Sequence, residues 1–255
     1  PPRSTLFPYT TLFRSDMSEF MERHNLSRLI GAPAGYVGYE EGGRLTEQIR
    51  RNPYSIVLFD EIEKAHPEVF NVLLQIMEDG ELTDAKGRKV DFRNALIILT
   101  SNLGSDILNK QTKIGFEKSN DEFSEDFEKT ENNIKEMVKK SFRPEFINRL
   151  DGIIIFKPLS KESVRKIVNI EFKKVEKRFS ALGIKLSLTE TAADWIAKKG
   201  FKPEFGARPM RSIFSEYIED AIGEGILKGS FREGDHLEIT QGKSTPKVTK
   251  ILSKK

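Results

Sequence analysis

The feature that most constrains the fold is a short apolar run that ends in two adjacent carboxylates. The segment Ser55–Phe59 reads SIVLF, and Asp60 and Glu61 follow it directly. An apolar run of this length without alternation is typical of a strand that is buried on both faces of a parallel sheet. Open α/β sheets bind their ligands at the carboxyl ends of such strands. The pattern therefore predicts a site at Asp60 and Glu61.

Further apolar runs predict more strands of the same sheet, and helical patterns lie between them. Ala95–Thr100 and Gly152–Phe156 are the two runs, and Pro67 begins a helix that ends before Gly80. Beyond Lys157 the pattern predicts helices at 160–181, 190–199 and 207–228, with short strands at 184–188, 236–240 and 246–252. The predicted fold class is α/β. A parallel sheet flanked by helices occupies residues 16–158, and a small, mainly helical domain with a short sheet occupies residues 159–255.

Composition excludes several classes of protein. A hydrophobic fraction of 37% with 32% charged residues is typical of a globular chain. The net charge of +3 is small, so we expect no nucleic-acid partner, and no apolar run approaches the length of a membrane span. The sequence contains no cysteine, which fits a cytoplasmic protein. Its three histidines, His24, His66 and His236, are too widely spaced to predict a metal site.

The first fifteen residues differ from the rest of the chain. Pro1–Ser15 reads PPRSTLFPYTTLFRS, holds no acidic residue and repeats the string TLF. One back-translation of all fifteen codons matches a common short-read sequencing adapter. We therefore interpret residues 1–15 as an artefact, leave them out of the predicted fold and expect the native sequence to begin at Asp16.

The polar residues after the predicted strands suggest phosphoryl chemistry. Asp60 can hold Mg²⁺, and Glu61 can orient and deprotonate a water for attack on a phosphoryl group. Asn102 follows the next strand and can position the same water. Arg149 precedes the third strand, where its guanidinium can reach the γ-phosphate of a neighbouring subunit. Arg208 begins a helix of the second domain and can sense the γ-phosphate within its own subunit.

Taken together, these motifs resemble the second AAA+ module of the Clp protein unfoldases. The resemblance rests on the strings GAPAGYVGYEEGG, VLFDEIEKAHPEVFNVLLQIMEDGELTD, GRKVDFRNALIILTSNLG, FRPEFINRLD and FGARPMR, and it runs from Asp16 to about Asp235. It implies an incomplete AAA+ (RecA-like) sheet and an ATPase that uses ATP and Mg²⁺. In that family Asp60 and Glu61 correspond to Walker B, Asn102 to sensor 1, Arg149 to the arginine finger and Arg208 to sensor 2.

The resemblance also implies partners. The family assembles into homohexamers that thread unfolded protein substrates through a central pore, and Tyr36, Val37 and Tyr39 of GYVGY would contact the substrate. Aromatic rings suit this task because they make apolar contact with almost any side chain. The tripeptide Ile114-Gly115-Phe116 resembles the loop with which ClpC- and ClpA-type subunits dock on a Clp-type peptidase.

One family motif is missing from the sequence. The string G-x-x-x-x-G-K-[ST], whose backbone N–H groups and lysine bind phosphate, does not occur in the 255 residues. We therefore expect the chain as written to hydrolyse no ATP, and the loop to lie upstream of Asp16 in the intact protein. Three alternatives stay open: a stand-alone disaggregase of the same family, an inactive structural fragment, and a nucleic-acid motor or clamp loader. The last should carry basic or stacking residues where this chain has GYVGYEEGG.

Overall fold

A computed structural model describes residues 11–32, 35, 39, 42–108, 120–202 and 205–251. The chain divides into two compact units. The first consists of Pro1–Asp106 and Glu128–Ile155, and the second of Ile107–Phe127 and Phe156–Lys255. The predicted boundary at residues 158 and 159 stays a prediction. In the described part of the chain, no helix is both long enough and apolar enough to cross a membrane.

The first unit is built on a three-stranded parallel sheet. The described residues of this unit form five strands: β1 (Thr11–Asp16), β2 (Ser55–Asp60), β3 (Glu81–Thr83), β4 (Lys89–Asp91) and β5 (Leu96–Leu99). The sheet order is β1-β2-β5, and β2 pairs in parallel with both neighbours. The pairs Asp16–Asp60 and Phe59–Leu99 fix the register, so the carboxyl ends of the three strands share one edge. β3 and β4 form a separate antiparallel hairpin.

Helices cover one face of this sheet. The helices with residues in the first unit are α1 (Ser27–Ile30), α2 (Arg44–Arg51), α3 (Pro67–Asp79), α4 (Asn120–Ser141, which begins in the second unit) and α5 (Pro144–Ile147). Short 3-10 turns occupy Met17–Phe20, Arg23–Leu26 and Ile62–Lys64. Val57 and Phe59 of β2 belong to the same buried cluster as Leu45 of α2 and Leu73 of α3. The opposite face is open in the described structure, since Leu96 is 55% exposed.

Helix α3 forms as its sequence predicts. Pro67 occupies the first turn, where its missing N–H costs nothing, and the ring nitrogen Nδ1 of His66 accepts the N–H of Glu68 at 3.3 Å. Gly80 ends the helix in the left-handed conformation at φ 67°, which glycine adopts without steric cost. Val69, Leu73 and Ile76 form its buried face. The helix thus packs against the sheet just beyond the predicted site.

The second unit has its own core. Its remaining helices are α6 (Lys161–Ser180), α7 (Glu190–Gly200), α8 (Met210–Phe214) and α9 (Asp220–Leu227), with a π-helical segment, Ser215–Glu219, between the last two. Its strands are β6 (Lys185–Leu188), β7 (His236–Gln241) and β8 (Pro246–Lys250). β7 pairs in parallel with β6 and antiparallel with β8. Val168, Ile196, Phe214 and Leu237 are among the residues that form its buried cluster.

Two of the predictions about strands differ from the structure. Residues 11–15, left out of the predicted fold, form most of β1, because Thr11–Asp16 adopts an extended conformation along the free edge of β2. The origin of residues 1–15 is a separate question that stays a prediction. The predicted strand Gly152–Phe156 is wrong: no described strand pairs with it, and Ile154 and Phe156 are 83% and 84% exposed. A strand needs a neighbour for its backbone hydrogen bonds, and this apolar run has none among the described residues.

Candidate functional site

The site lies where β2 and β5 end side by side. The backbone N–H of Thr100 donates to the carbonyl of Phe59 at 2.9 Å, and the N–H of Ile62 donates to the carbonyl of Thr100 at 2.9 Å. These two bonds extend the pairing of β2 and β5 past the last residue of each strand. They bring the chain after β2 against the chain after β5, which is the arrangement that the sequence predicts.

Asp60 is held by a hydroxyl and a cation. The hydroxyl of Thr100 donates to Oδ1 of Asp60, and the guanidinium of Arg14 forms an ion pair with Oδ2 at 2.5 Å. The side chain of Asp60 remains 26% exposed. Arg14 belongs to β1, the strand on the other side of β2. Asp60 is therefore fixed in orientation from both neighbouring strands while it stays accessible.

Glu61 adopts a left-handed backbone conformation, at φ 57° and ψ 51°. It is the one non-glycine residue with positive φ among those that the structure describes. Such a conformation costs about 1–3 kcal/mol and is typical of functional sites. Its backbone N–H donates to the Thr100 hydroxyl at 3.3 Å. A hydrogen bond to the Thr100 hydroxyl thus helps to hold the predicted catalytic glutamate in an unfavourable backbone conformation.

The carboxylate of Glu61 contacts two groups. The side-chain amide of Asn102 donates to Oε1 at 3.2 Å, and the ammonium of Lys64 pairs with Oε2 at 2.5 Å. The hydrogen bond to Glu61, followed by its charge, raises the pKa of Lys64. Lys64 lies one turn after Glu61, so the short helix Ile62–Lys64 supplies this contact. The structure therefore places Glu61 and Asn102 in direct contact, as the sequence predicts.

Other acidic groups border the same edge. Asp16 ends β1 opposite Asp60, and its Oδ1 accepts the hydroxyl and the backbone N–H of Ser18 at 2.6 and 2.9 Å. These two bonds lower the pKa of Asp16, although the charge of Asp60 acts in the opposite direction. Oε1 of Glu63 accepts the backbone N–H of Asn102 at 3.1 Å. The edge is thus rich in carboxylates, which two cations, Arg14 and Lys64, partly neutralise.

The donor set fits Mg²⁺ with a nucleotide. Carboxylate oxygens are ligands that Mg²⁺ prefers, and it commonly takes one or two of them together with phosphates and water. Asp60 and Glu61 supply such oxygens at an accessible sheet edge, where Oδ2 of Asp60 now pairs with Arg14. In the ranges described, no three His, Asp or Glu side chains converge into a larger metal cluster. The carboxylates therefore suit a cation whose remaining coordination positions are filled by phosphates and water.

The two predicted arginines belong to different units, and Arg149 lies in the unit that holds this edge. Arg149 follows α5 and forms an ion pair at 2.5 Å with Glu78, near the end of α3. Arg208 belongs to the second unit and lines a cavity of about 380 Å³ with Lys174, Arg211 and other residues. Their roles remain predictions.

The predicted substrate and partner residues mostly lie outside the described residues. Tyr36 and Val37 belong to this group, as do Ile114, Gly115 and Phe116. Tyr39 is described: its side chain is half-buried, and the ammonium of Lys86 lies 5.3 Å from the centre of its ring. This cation–π contact ties Tyr39 to the turn between β3 and β4.

Sequence reasoning missed four residues of the site. Three of them lie within the family motifs given above: Thr100, Glu63 and Lys64. Their positions could have identified them, because Thr100 places a hydroxyl at the end of a strand, and Glu63 and Lys64 are charged residues one turn after Asp60 and Glu61. Arg14 gave no signal because residues 1–15 were left out of the predicted fold.

Comparisons with known proteins identify the family of this chain. Residues 6–153 match the AAA domain (Cdc48 subfamily), and residues 159–239 match the C-terminal, D2-small domain of ClpB protein. The chain is 50% identical over 228 residues to a chaperone protein ClpB of Oceanobacillus iheyensis, covering 89% of this chain and 28% of the relative. It is 52% identical over 225 residues to the chloroplastic chaperone protein ClpC1 of Oryza sativa subsp. japonica, covering 88% and 24%.

A third relative carries a different description. The chain is 50% identical over 228 residues to an ATP-dependent Clp protease ATP-binding subunit ClpC of Staphylococcus saprophyticus, covering 89% of this chain and 28% of the relative. The chain thus spans about a quarter of the length of the curated relatives it matches.

Proposed function

The chain belongs to the AAA family and corresponds to a C-terminal Clp AAA+ module, and on that premise we propose that it forms part of an ATP-driven protein unfoldase. The single observation that carries the proposal is the contact between the Asn102 amide and the Glu61 carboxylate at 3.2 Å, beside Asp60 at the end of parallel strands. A carboxylate next to an amide is a pair that can bind one water between acceptor and donor.

Each site residue has one task in this proposal. Asp60 would hold Mg²⁺, which when bound neutralises charge on the phosphates. Glu61 accepts a proton from the attacking water, and Asn102 orients that water by a hydrogen bond. Thr100 supports both carboxylate residues, since its hydroxyl bonds to Oδ1 of Asp60 and to the backbone N–H of Glu61.

In the proposed ATPase, two arginines would contact the phosphates of the nucleotide. Arg149 would act as the arginine finger at a neighbouring subunit's site, in a homohexamer. It is 46% exposed and its present partner is one surface carboxylate, Glu78. Surface ion pairs contribute little free energy, so Arg149 can exchange this partner for a phosphate at small cost. Arg208 would contact the nucleotide as sensor 2.

Substrate handling rests on the sequence motif GYVGY. Tyr36, Val37 and Tyr39 would contact an unfolded polypeptide in the pore of the hexamer. Relatives described as chaperones and as a protease subunit are about 50% identical to this chain over the 225–228 residues that align with it, so two cellular roles compete. Ile114-Gly115-Phe116 favours coupling to a Clp-type peptidase. The match of residues 159–239 to a ClpB small domain is the observation that supports the alternative, a stand-alone disaggregase.

The test needs a protein that combines this module with a phosphate-binding loop, which we call the loop-containing protein. There, Glu61→Gln should leave ATP binding intact and lower the rate of hydrolysis by about 100-fold or more, as expected for loss of a positioned base. Glu68→Gln, a half-buried position of α3 whose carboxylate pairs with Arg23, is the matched control and should retain wild-type turnover. Full hydrolysis by the Glu61→Gln protein would overturn the proposal. The 255-residue chain alone should hydrolyse no ATP, because its sequence has no phosphate-binding loop.

A second experiment separates the two cellular roles. Phe116→Ala in the loop-containing protein should abolish degradation of a tagged substrate by the cognate peptidase and leave ATP hydrolysis unchanged. Burial of one phenylalanine is worth about 1.5–3 kcal/mol, and six copies in one ring multiply its loss through avidity. Full degradation by Phe116→Ala would instead favour the disaggregase.

A further inference from the structure

Glu63 bridges the two chain segments that carry the site. It lies two residues after Glu61, in the 3-10 turn Ile62–Lys64 that follows β2. Its Oε1 accepts the backbone N–H of Asn102, at 3.1 Å, from the segment that follows β5. The side chain therefore joins the segment of the proposed base to the segment of the proposed water-orienting amide.

Asn102 depends on this bond for its placement. Its residue is exposed, and β5 has already ended at Leu99, so the sheet ladder no longer holds it. Among the described residues, Glu63 is the acceptor of its backbone N–H, and Glu61 is the acceptor of its side-chain amide. The next bond along the chain uses the carbonyl of Asn102, which accepts the N–H of Ser105 at 3.1 Å. Among the residues that the structure describes, the bond to Glu63 is the one that fixes the N–H side of Asn102 relative to β2.

The other oxygen of Glu63 is not arranged for stability. In the part of the chain that the structure describes, Oε2 is a buried side-chain oxygen without a hydrogen-bond partner. A buried oxygen without a partner is destabilising. Oε1 is therefore the oxygen through which Glu63 stabilises this segment, and a neutral side chain with the same acceptor oxygen should keep the bond.

We propose that Glu63 is a positioning residue, which sets the distance between the Asn102 amide and the Glu61 carboxylate by anchoring the backbone of Asn102. The inference rests on the proposed function for its catalytic consequence. A shift of about 1 Å in a positioned group can cost about 100-fold in rate. Loss of the anchor should therefore slow the chemical step and leave nucleotide binding unchanged, since Glu63 itself contacts the chain after β5.

The first test measures the anchor without any ATPase assay. Backbone amide hydrogen exchange is followed by NMR in the 255-residue chain. Glu63→Ala should accelerate exchange at Asn102 about tenfold or more, while Glu63→Gln, which keeps an acceptor oxygen, should restore slow exchange. Glu68→Ala is the matched control, because Glu68 pairs with Arg23 and is not bonded to Asn102. Unchanged exchange at Asn102 in Glu63→Ala would overturn the anchor, provided that thermal melting shows a folded protein.

The second test measures its consequence in the loop-containing protein. Glu63→Ala should lower kcat about 10- to 100-fold with KM for ATP within about twofold, and Glu63→Gln should recover most of kcat. If Glu61→Gln abolishes hydrolysis while Glu63→Ala retains full kcat, the positioning inference fails and the proposed function stands. If Glu61→Gln itself retains full hydrolysis, the proposed function fails, and the exchange experiment still decides whether Glu63 anchors Asn102.

Discussion

Replacement of Thr100 by valine tests whether the site edge is built as described. Valine has nearly the same shape as threonine but no hydroxyl, so the variant loses two contacts: the bond from the Thr100 hydroxyl to Oδ1 of Asp60, and the bond that this hydroxyl accepts from the N–H of Glu61. The Glu61 bond is long, at 3.3 Å, and contributes little. The bond to the charged carboxylate dominates the expected effect.

The magnitude follows from exposure. A hydrogen bond to a charged group contributes about 1.5–3 kcal/mol to stability. Water can replace part of the lost bond because the Asp60 side chain is 26% exposed, so we expect the lower half of that range. A loss of about 1.5–2 kcal/mol in the free energy of unfolding corresponds to a fall in Tm of roughly 5 °C for a unit of this size.

The assay is thermal and urea unfolding of the 255-residue chain followed by circular dichroism. Thr100→Ser keeps the hydroxyl and should recover most of the loss. Thr249→Val is the matched control, since its hydroxyl donates to a backbone carbonyl, that of Glu238, at 3.4 Å and touches no carboxylate; its cost should stay below about 0.5 kcal/mol. If Thr100→Val unfolds within about 0.5 kcal/mol of the wild type, Thr100 does not hold Asp60 and the reasoning is refuted.

Two further predictions concern the elements around the site. Gly43→Ala should destabilise the chain by about 3 kcal/mol, because the new Cβ would lie 2.2 Å from the carbonyl oxygen of Leu29; Gly223→Ala, where the Cβ would meet nothing within 4 Å, should be neutral or stabilising in the same urea titration. Hydrogen bonds from Arg50 and then Arg88 lower the pKa of Glu47 from 4.5 to about 2. Because the folded pKa is the lower one, this contribution to stability is complete above about pH 4.5 and disappears as the pH falls toward 2. Glu47→Gln should remove that part of the acid sensitivity of Tm, and an unchanged profile would show that the two arginines do not stabilise the folded state through Glu47.

Local patterns made most of the first unit predictable. β2 and α3 follow directly from an apolar run and from a helix with Pro67 at its start and Gly80 at its end. The contact between Glu61 and Asn102 was predictable too, because the ends of neighbouring parallel strands must meet. These features depend on sequence periods and on a topological rule that tolerates small errors in strand bounds.

Strands whose formation depends on a neighbouring strand were not predictable from the local sequence pattern. The run Gly152–Phe156 is as apolar as β5, yet only β5 has a strand to pair with in the described structure. β1 was missed because residues 1–15 were interpreted as an artefact. The unpaired edge of β2 can nevertheless pair with almost any extended segment, since the hydrogen bonds are made by the backbone. The helix predicted at 207–228 is interrupted by the π-helical segment Ser215–Glu219, which no spacing in the sequence signals.

The left-handed backbone at Glu61 has a consequence for directed evolution of this chain. Glycine adopts φ 57° without the steric cost that glutamate bears there. A library selected only for thermostability or expression should therefore enrich glycine or asparagine at position 61 and discard the carboxylate. A library of the loop-containing protein selected for ATP hydrolysis should instead retain glutamate at position 61. Opposite outcomes in the two selections would show that the chemistry of the site, and not the stability of the fold, determines the residue at this position.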